Sequence, residues 1–308
     1  MAPVRPGTDA ATAPVVLRTC TCCGSRRLRV ERAYRCGDPR FAAALGGEPG
    51  VLRCEGCGLA QVDHTRVDAE AFAAWRREAA ARPIARSRDA LAWLEARGRA
   101  LAELSRRHHA GPRVRSVFQF GAGPGLDLLA LQRVHRGAEF WVDPLDPDAV
   151  RRSLAQVGDL AEGPFDRVLM THVLAQVHEP VRFVRRALGA LRPGGLLIIE
   201  VGNDLDPALE RRDSFAPQLT FFELRTLRKL FSTHFGDDLA EVHAATAGPR
   251  VGELGTAGAR PGLLARWLGI GRPVVHDLSD DPAAEDRALA RIVLRRRGDE
   301  FTAGAVPG

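Results

Sequence analysis

The chain has 308 residues, 45% of them hydrophobic, with 44 basic and 38 acidic side chains for a formal charge of +6. That is enough for one large or two smaller domains with a sizeable core. No apolar run approaches the roughly 20 residues of a membrane helix, and MAPVRPGTDAATAPVV lacks the apolar centre of a secretory signal. A membrane span is therefore not expected, and a cytoplasmic location is.

Residues 1–15, rich in Ala, Pro and Thr, read as a disordered tail. A ribbon-like segment follows over 16–65. All six cysteines precede residue 58, and four form the knuckles Cys20-Thr-Cys-Cys23-Gly24 and Cys54-Glu-Gly-Cys57-Gly58. A CxxC turn offers two thiolates on one side of a metal, and zinc prefers four soft ligands in a tetrahedron. Cys20, Cys23, Cys54 and Cys57 are the expected zinc ligands; Cys22 and Cys36 are left over. A piece this small needs the metal simply to fold.

Residues 66–110 turn helical. Phe72 and Trp75 come first, then a break at Pro83, then Leu91, Leu94, Leu101 and Leu104 on one stripe. The arginines between them read as a solvated face. Residues 1–110 carry 19 arginines against 12 acids. That excess suits a polyanion, or reflects a chain that uses arginine for nearly every basic task, since Lys229 is its only lysine.

Gly111-Pro112 marks a boundary, and 111–300 reads as one α/β domain. Val117–Phe120 is a short apolar strand that breaks into Gly121-Ala-Gly123-Pro-Gly125, and an amphipathic helix follows. Strand, glycine turn and helix open a nucleotide-binding βα unit, because glycines let a ligand lie against the backbone and a helix start points free N–H groups at it. Phe140-Trp-Val-Asp143 is a second strand ending in an acid suited to two ribose hydroxyls. Phe165–Met170 and Leu196–Val201 are buried strands. Arg192-Pro-Gly-Gly195 is a turn, Leu224–Phe231 a helix, and Leu239–Ala245 with Ala288–Leu294 a closing pair of strands. An insert over about 248–286 is irregular except for a stripe at Leu263, Leu264, Trp267 and Leu268, which reads as a mobile cover over a binding pocket, as an exposed tether or as a homodimer contact. Residues 301–308 form a tail.

The motifs VFQFGAGPG, FWVDP, FDRVLMTHVLAQVHEP and LRPGGLLIIEVGN make residues 114–297 resemble a class I S-adenosylmethionine-dependent methyltransferase. The two knuckles resemble those of bacterial members that act on sugars, surface polysaccharides or natural products. The resemblance implies a doubly wound, mostly parallel, seven-stranded Rossmann-like sheet with a reversed last strand. It implies that Gly121, Gly123 and Gly125 hold the methionine and ribose of S-adenosylmethionine. Asp143 would bind the ribose, and Asp159 would lie near the adenine. Thr171 and His172 would lie beside the sulfur. The family's first acid is Gln119 here, an uncharged partner for an ammonium. Its frequent Glu-His after His-Val-Leu is Ala175-Gln176, and only 22 residues lie between Asp143 and Asp166, so a trimmed third strand is expected.

Such a reaction aligns a nucleophile with a methyl carbon and removes its proton. His172 is the candidate base, with a loop-capping histidine as the alternative. The acceptor implied is a small molecule: a sugar, a glycan or a secondary metabolite. An rRNA or tRNA methyltransferase is an alternative, disfavoured because Tyr34 is the only tyrosine and the ribbon is poor in stacking aromatics. A non-catalytic methyltransferase-like binding protein is the third reading.

Overall fold

The computed structural model describes residues 19–34, 39–47, 49–63, 67–68, 70–72, 74–75, 78, 88–109, 113–121, 125–143, 155–203, 218–250, 278–285 and 287–298. The expected tails, Gly123, Cys36 and the Leu263–Leu268 stripe lie outside them. Among the described residues no helix is long and apolar enough to cross a membrane.

Two sheets form. The smaller has three N-terminal strands, β1 (Leu28–Ala33), β2 (Gly50–Cys54) and β3 (Ala60–Val62), with helix α1 (Pro39–Ala44) between the first two. Its fourth strand comes from far along the chain: β9 (Thr220–Phe221) pairs antiparallel with β3, Ala60 opposite Phe221 and Gln61 opposite Thr220. The ribbon is thus completed by a strand from the C-terminal half of the chain. Gln61, fully buried, accepts from the Thr21 amide at 2.9 Å and donates to the Thr19 carbonyl at 3.2 Å, tying the first knuckle to β3.

The larger sheet holds β4 (Ser116–Phe120), β5 (Glu139–Val142), β6 (Gln156–Val157), β7 (Phe165–Thr171), β8 (Leu191–Gly202), β10 (Leu239–Arg250), β11 (Asp280–Asp281) and β12 (Arg287–Arg296). Its order is β11-β10-β12-β8-β7-β4-β5-β6. Strands β6, β5, β4, β7 and β8 run parallel, and β12 runs antiparallel between β8 and β10. This is the doubly wound sheet with a reversed last strand. The third strand, β6, is only two residues long. The eighth strand, β11, was not expected: the far end of the insert returns as an edge of the sheet. The turn at Arg192–Gly195 is absorbed within β8, where the register against β7 jumps from Phe165–Leu191 to Arg167–Leu196.

Alternation along the strands divides the core. Phe118, Phe120, Val168, Met170, Leu197 and Ile199 face α4 (Pro180–Gly189), α5 (Leu224–His234) and the ribbon residues Cys20, Cys22, Cys54 and Leu59. Val117, Leu169, Leu196, Ile198 and Val293 face α2 (Arg88–Arg107) and α3 (Leu126–Val134). All seven residues of β7 are buried, as a strand covered by helices on both faces must be.

Beneath α2 and α3, His135 is 9% exposed and its Nε2 lies 2.8 Å from Ser105 Oγ. Burial pushes its pKa down to about 4, helped by Arg167 and His109 and opposed by Asp166. The unfolded imidazole titrates near 6.5, so below that value the unfolded state binds the proton that the folded state refuses. Stability from this group is full above about pH 6.5 and is lost as the pH falls toward 4. By pH 5 the loss is about 2 kcal/mol. Urea denaturation at pH 7.5 and pH 5 should show His135→Gln losing less stability than wild type by about that amount.

Candidate active site and metal centre

Strand β4 ends at Phe120 and turns at Gly121, whose φ is +66°. A Cβ at Gly121 would overlap the Thr171 carbonyl oxygen, so the position is closed to other residues. Thr171 Oγ1 donates to the Gly121 carbonyl at 2.7 Å and accepts from Gln119 Nε2 at 3.2 Å. Gly125, at φ +78°, opens α3. The Asp143 amide donates to the Gln119 carbonyl at 3.3 Å, which places Asp143 beside the glycine turn. Asp159 sits one strand further out, exposed, its carboxylate accepting from the Ala161 amide at 2.6 Å. The structure therefore brings Gln119, Gly121, Gly125, Asp143 and Thr171 together at the carboxyl ends of β4, β5 and β7, and sets Asp159 on the adjoining edge.

The same edge carries a row of buried charge. Arg97 of α2 pairs with Asp127 in the first turn of α3, and its Nε lies 3.5 Å from Glu200 Oε1. Glu200 Oε2 is 2.7 Å from Arg291 Nε, opposite it on β12. Arg291 Nη1 reaches Asp280 Oδ1 at 2.8 Å, and Asp280 Oδ2 meets His243 Nε2 at 2.8 Å. Burial drives the Glu200 carboxyl up, but Arg291, His172 and Arg97 together outweigh it and hold it well below the usual carboxylate range. Burial likewise opposes the charges of Arg97 and Arg291, and their acidic neighbours restore them. Helix α2 reaches this row because Gly98 lets it ride against α3: a Cβ there would stand 3.0 Å from Asp127 Cα.

His172 follows Thr171 directly. It is the only non-glycine residue with positive φ among the described residues, at +57°. Its amide donates to the Glu200 carbonyl at 2.8 Å, and its Nε2 lies 3.4 Å from Glu200 Oε1. A histidine in this conformation stays there only because its surroundings hold it, and such strain gathers at functional sites.

At the other end of the ribbon, the sulfurs of Cys20, Cys23, Cys54 and Cys57 all lie within 4.8 Å of one another. Gly24 and Gly58 donate their amides to the Cys20 and Cys54 carbonyls at 2.9 and 2.8 Å, closing each knuckle. Amides of Cys22 and Gly56 point at Cys20 and Cys54 sulfur, at 3.4 and 3.3 Å, the outer hydrogen bonds that thiolate ligands need. Cys22 takes another role: its Sγ lies 3.9 Å from the Thr226 carbonyl of α5, and its own carbonyl meets His234 Nε2.

The family model described as a methyltransferase domain matches residues 72–240, more than half of the chain. The chain belongs to this family. No curated protein matches it. Among solved structures, this methyltransferase is similar to a putative methyltransferase complexed with the Haloferax volcanii activator Trm112 (16% identity, 74% of this chain and 98% of that one, TM-score 0.45). It is also similar to a possible histamine N-methyltransferase from Thermotoga maritima (17%, 67% and 93%, TM-score 0.44). A third is the plantazolicin methyltransferase BpumL in complex with SAH (12%, 75% and 91%, TM-score 0.42).

Arg97, Asp127, Arg291 and Asp280 are the residues that sequence reasoning passed over. Arg97 had a signal: it sits three after Leu94 and four before Leu101, on the buried stripe of α2 rather than its wet face. Arg291 had another, as the one charge within the apolar run Ala288–Leu294.

Removing Arg97 would leave the buried Asp127 without its cation and leave Glu200 with Arg291 alone. Arg97→Ala should cost about 3–5 kcal/mol in urea denaturation at pH 7.5. Arg99→Ala, whose side chain is 65% exposed and paired with Glu95, should change stability by less than about 1 kcal/mol.

Proposed function

We propose that this methyltransferase moves the methyl group of S-adenosylmethionine to a small-molecule acceptor such as a sugar, a glycan or a secondary metabolite, with His172 taking the acceptor's proton. The observation that carries the reading is the convergence of a backbone-only turn at Gly121 and a strained, carboxylate-backed histidine on one sheet edge. The residues fit the donor. Gln119 Oε1 is buried without a hydrogen-bond partner, an acceptor suited to an ammonium. Behind it, Asp127 brings a carboxylate to 3.3 Å from the Gln119 amide nitrogen. Asp143 would take the ribose hydroxyls, the glycines would admit the donor's close approach, and Asp159 would lie toward the adenine.

When bound, the sulfonium supplies a methyl carbon open to in-line attack. The chain's own groups align the acceptor and remove its proton. His172 would take the proton from the acceptor's X–H bond, leaving that pair on X free for the methyl carbon as the carbon's bond to sulfur breaks and its pair stays on the sulfur. The resulting imidazolium faces the Glu200 carboxylate, which favours its charge.

Calorimetry with S-adenosylmethionine tests the reading; an absence of binding would overturn it. Asp143→Ala should weaken the donor by about 100-fold or more, because two charge-assisted hydrogen bonds are lost. Gln119→Ala should cost less, since its contact is neutral.

The four sulfurs and their amide donors fit a tetrahedral zinc. Metal analysis of protein purified without a metal-affinity tag should find one zinc per chain, and Cys54→Ser should release it. A folded, metal-free ribbon would end that part of the proposal.

A further inference from the structure

The Glu200 side chain is 0% exposed and so does not meet an acceptor directly. One of its oxygens is fully engaged by Arg291, at 2.7 Å. The other, Oε1, has no hydrogen bond. Its neighbours are Arg97 Nε at 3.5 Å, itself already donating to Asp127, and His172 Nε2 at 3.4 Å. His172 Nε2 is also buried without a hydrogen bond. Two orphan atoms, one a carboxylate oxygen and one a ring nitrogen, thus face each other. The His172 side chain is nevertheless 31% exposed, and with Nε2 buried that exposure falls on the rest of the ring.

We propose that Glu200 is a positioning residue for His172, holding it as the Nε2–H tautomer so that Nδ1 presents its lone pair to the open side of the site. A buried carboxylate oxygen can only accept, so the nitrogen beside it must carry the hydrogen. The neutral ring has one lone pair, and that pair is then at Nδ1. The two guanidinia complete the device. Arg291 and Arg97 keep Glu200 ionised in a dry setting, and the backbone bond from His172 N to Glu200 O fixes the loop to the same residue that orients the ring. Proton acceptance by His172 rests on the proposed methyl transfer; the tautomer does not, and the two are tested separately.

Long-range proton–nitrogen correlation spectra of protein labelled with 15N-histidine, recorded at pH 8.5, read the tautomer directly. His172→Gln identifies the signal by its loss. In wild type the expected result is one pyrrole-type nitrogen at Nε2 and one pyridine-type nitrogen at Nδ1. The reverse assignment, or a mixture of both, overturns the proposal without any further variant. In Glu200→Gln, which leaves an amide able to donate or accept, the single tautomer should give way to a mixture; an unchanged spectrum would show that something other than Glu200 sets it. Should Glu200→Gln fail to fold, the wild-type assignment still decides. Calorimetry with S-adenosylmethionine on the same wild-type sample separates the failures. Donor binding with the wrong tautomer sinks Glu200's role alone, and the right tautomer without donor binding sinks the methyl-transfer reading alone.

Discussion

A carboxylate with no exposed surface, set near the end of β8 where the parallel strands meet antiparallel β12, constrains everything around it. Glu200 is held ionised by guanidinium groups from opposite ends of the chain, Arg97 on α2 and Arg291 on β12. Neither is near it in sequence. The last strand must therefore be inserted between β8 and β10, and α2 must lie along α3, before the charge is compensated. A buried pair of this kind adds little net stability over apolar packing, while an unpaired member costs several kcal/mol. Its main effect is to penalise arrangements in which these elements are misplaced. It also sets the site: the same carboxylate backs His172, and the same arginine row reaches Gln119 through Asp127, whose Oδ2 accepts from Gln119 Nε2 at 3.3 Å.

The ribbon is bound into this arrangement rather than hung from it. Strand β9 closes its sheet, the Val62 amide donates to the Leu219 carbonyl at 2.8 Å, and the Leu219 amide donates to the Ala175 carbonyl at 2.8 Å. Ala175 lies in the single 3-10 turn that follows His172. A continuous line of main-chain hydrogen bonds therefore runs from the strand beside the cysteine cluster to the loop that carries the histidine. Buried cysteines share one apolar cluster with Val173, Leu174 and α5. Metal ligation at the knuckles, under the proposed reading, would organise this face of the sheet at the same time, because folding and ligation draw on the same free energy.

The sheet was legible from pattern because its strands are short apolar runs bounded by glycine and proline, and because βα alternation admits few topologies. The knuckles were legible because ligand spacing is local. So was the reach of Gln119, Gly121, Asp143, Thr171 and His172 to one edge, since strand ends carry that information. What pattern could not reveal is pairing across the fold. The phase of Leu94 and Leu101 puts Arg97 on the inward stripe, but which carboxylates it meets there depends on the close crossing at Gly98. Strand β9 is two residues long, too short for any periodicity, and its partner is some 160 residues upstream. Strand β11 hid in an insert whose composition argued for irregular chain, yet Leu278 beside it is 3% exposed and packs with Ala247 and Leu289.

The replacement of the family's acid by Gln119 takes on a different meaning once the charges are counted together. A carboxylate at that position would stand at hydrogen-bond distance from Asp127, whose single guanidinium partner, Arg97, is already shared with Glu200, and like charges that close raise one another's pKa. Glutamine removes that conflict while keeping the geometry: its amide nitrogen donates to Asp127 and Thr171, which leaves its oxygen as the free acceptor. Negative charge stands one layer back, on Asp127, Glu200 and Asp280, where Arg97, Arg291 and His243 pair with it. Under the proposed reading, a cationic donor meets a neutral acceptor atom at close range and the Asp127 carboxylate behind it. Attraction of that kind depends on the row being complete, so that the helix preceding the sheet and the strand that ends it both contribute to a site that neither of them lines.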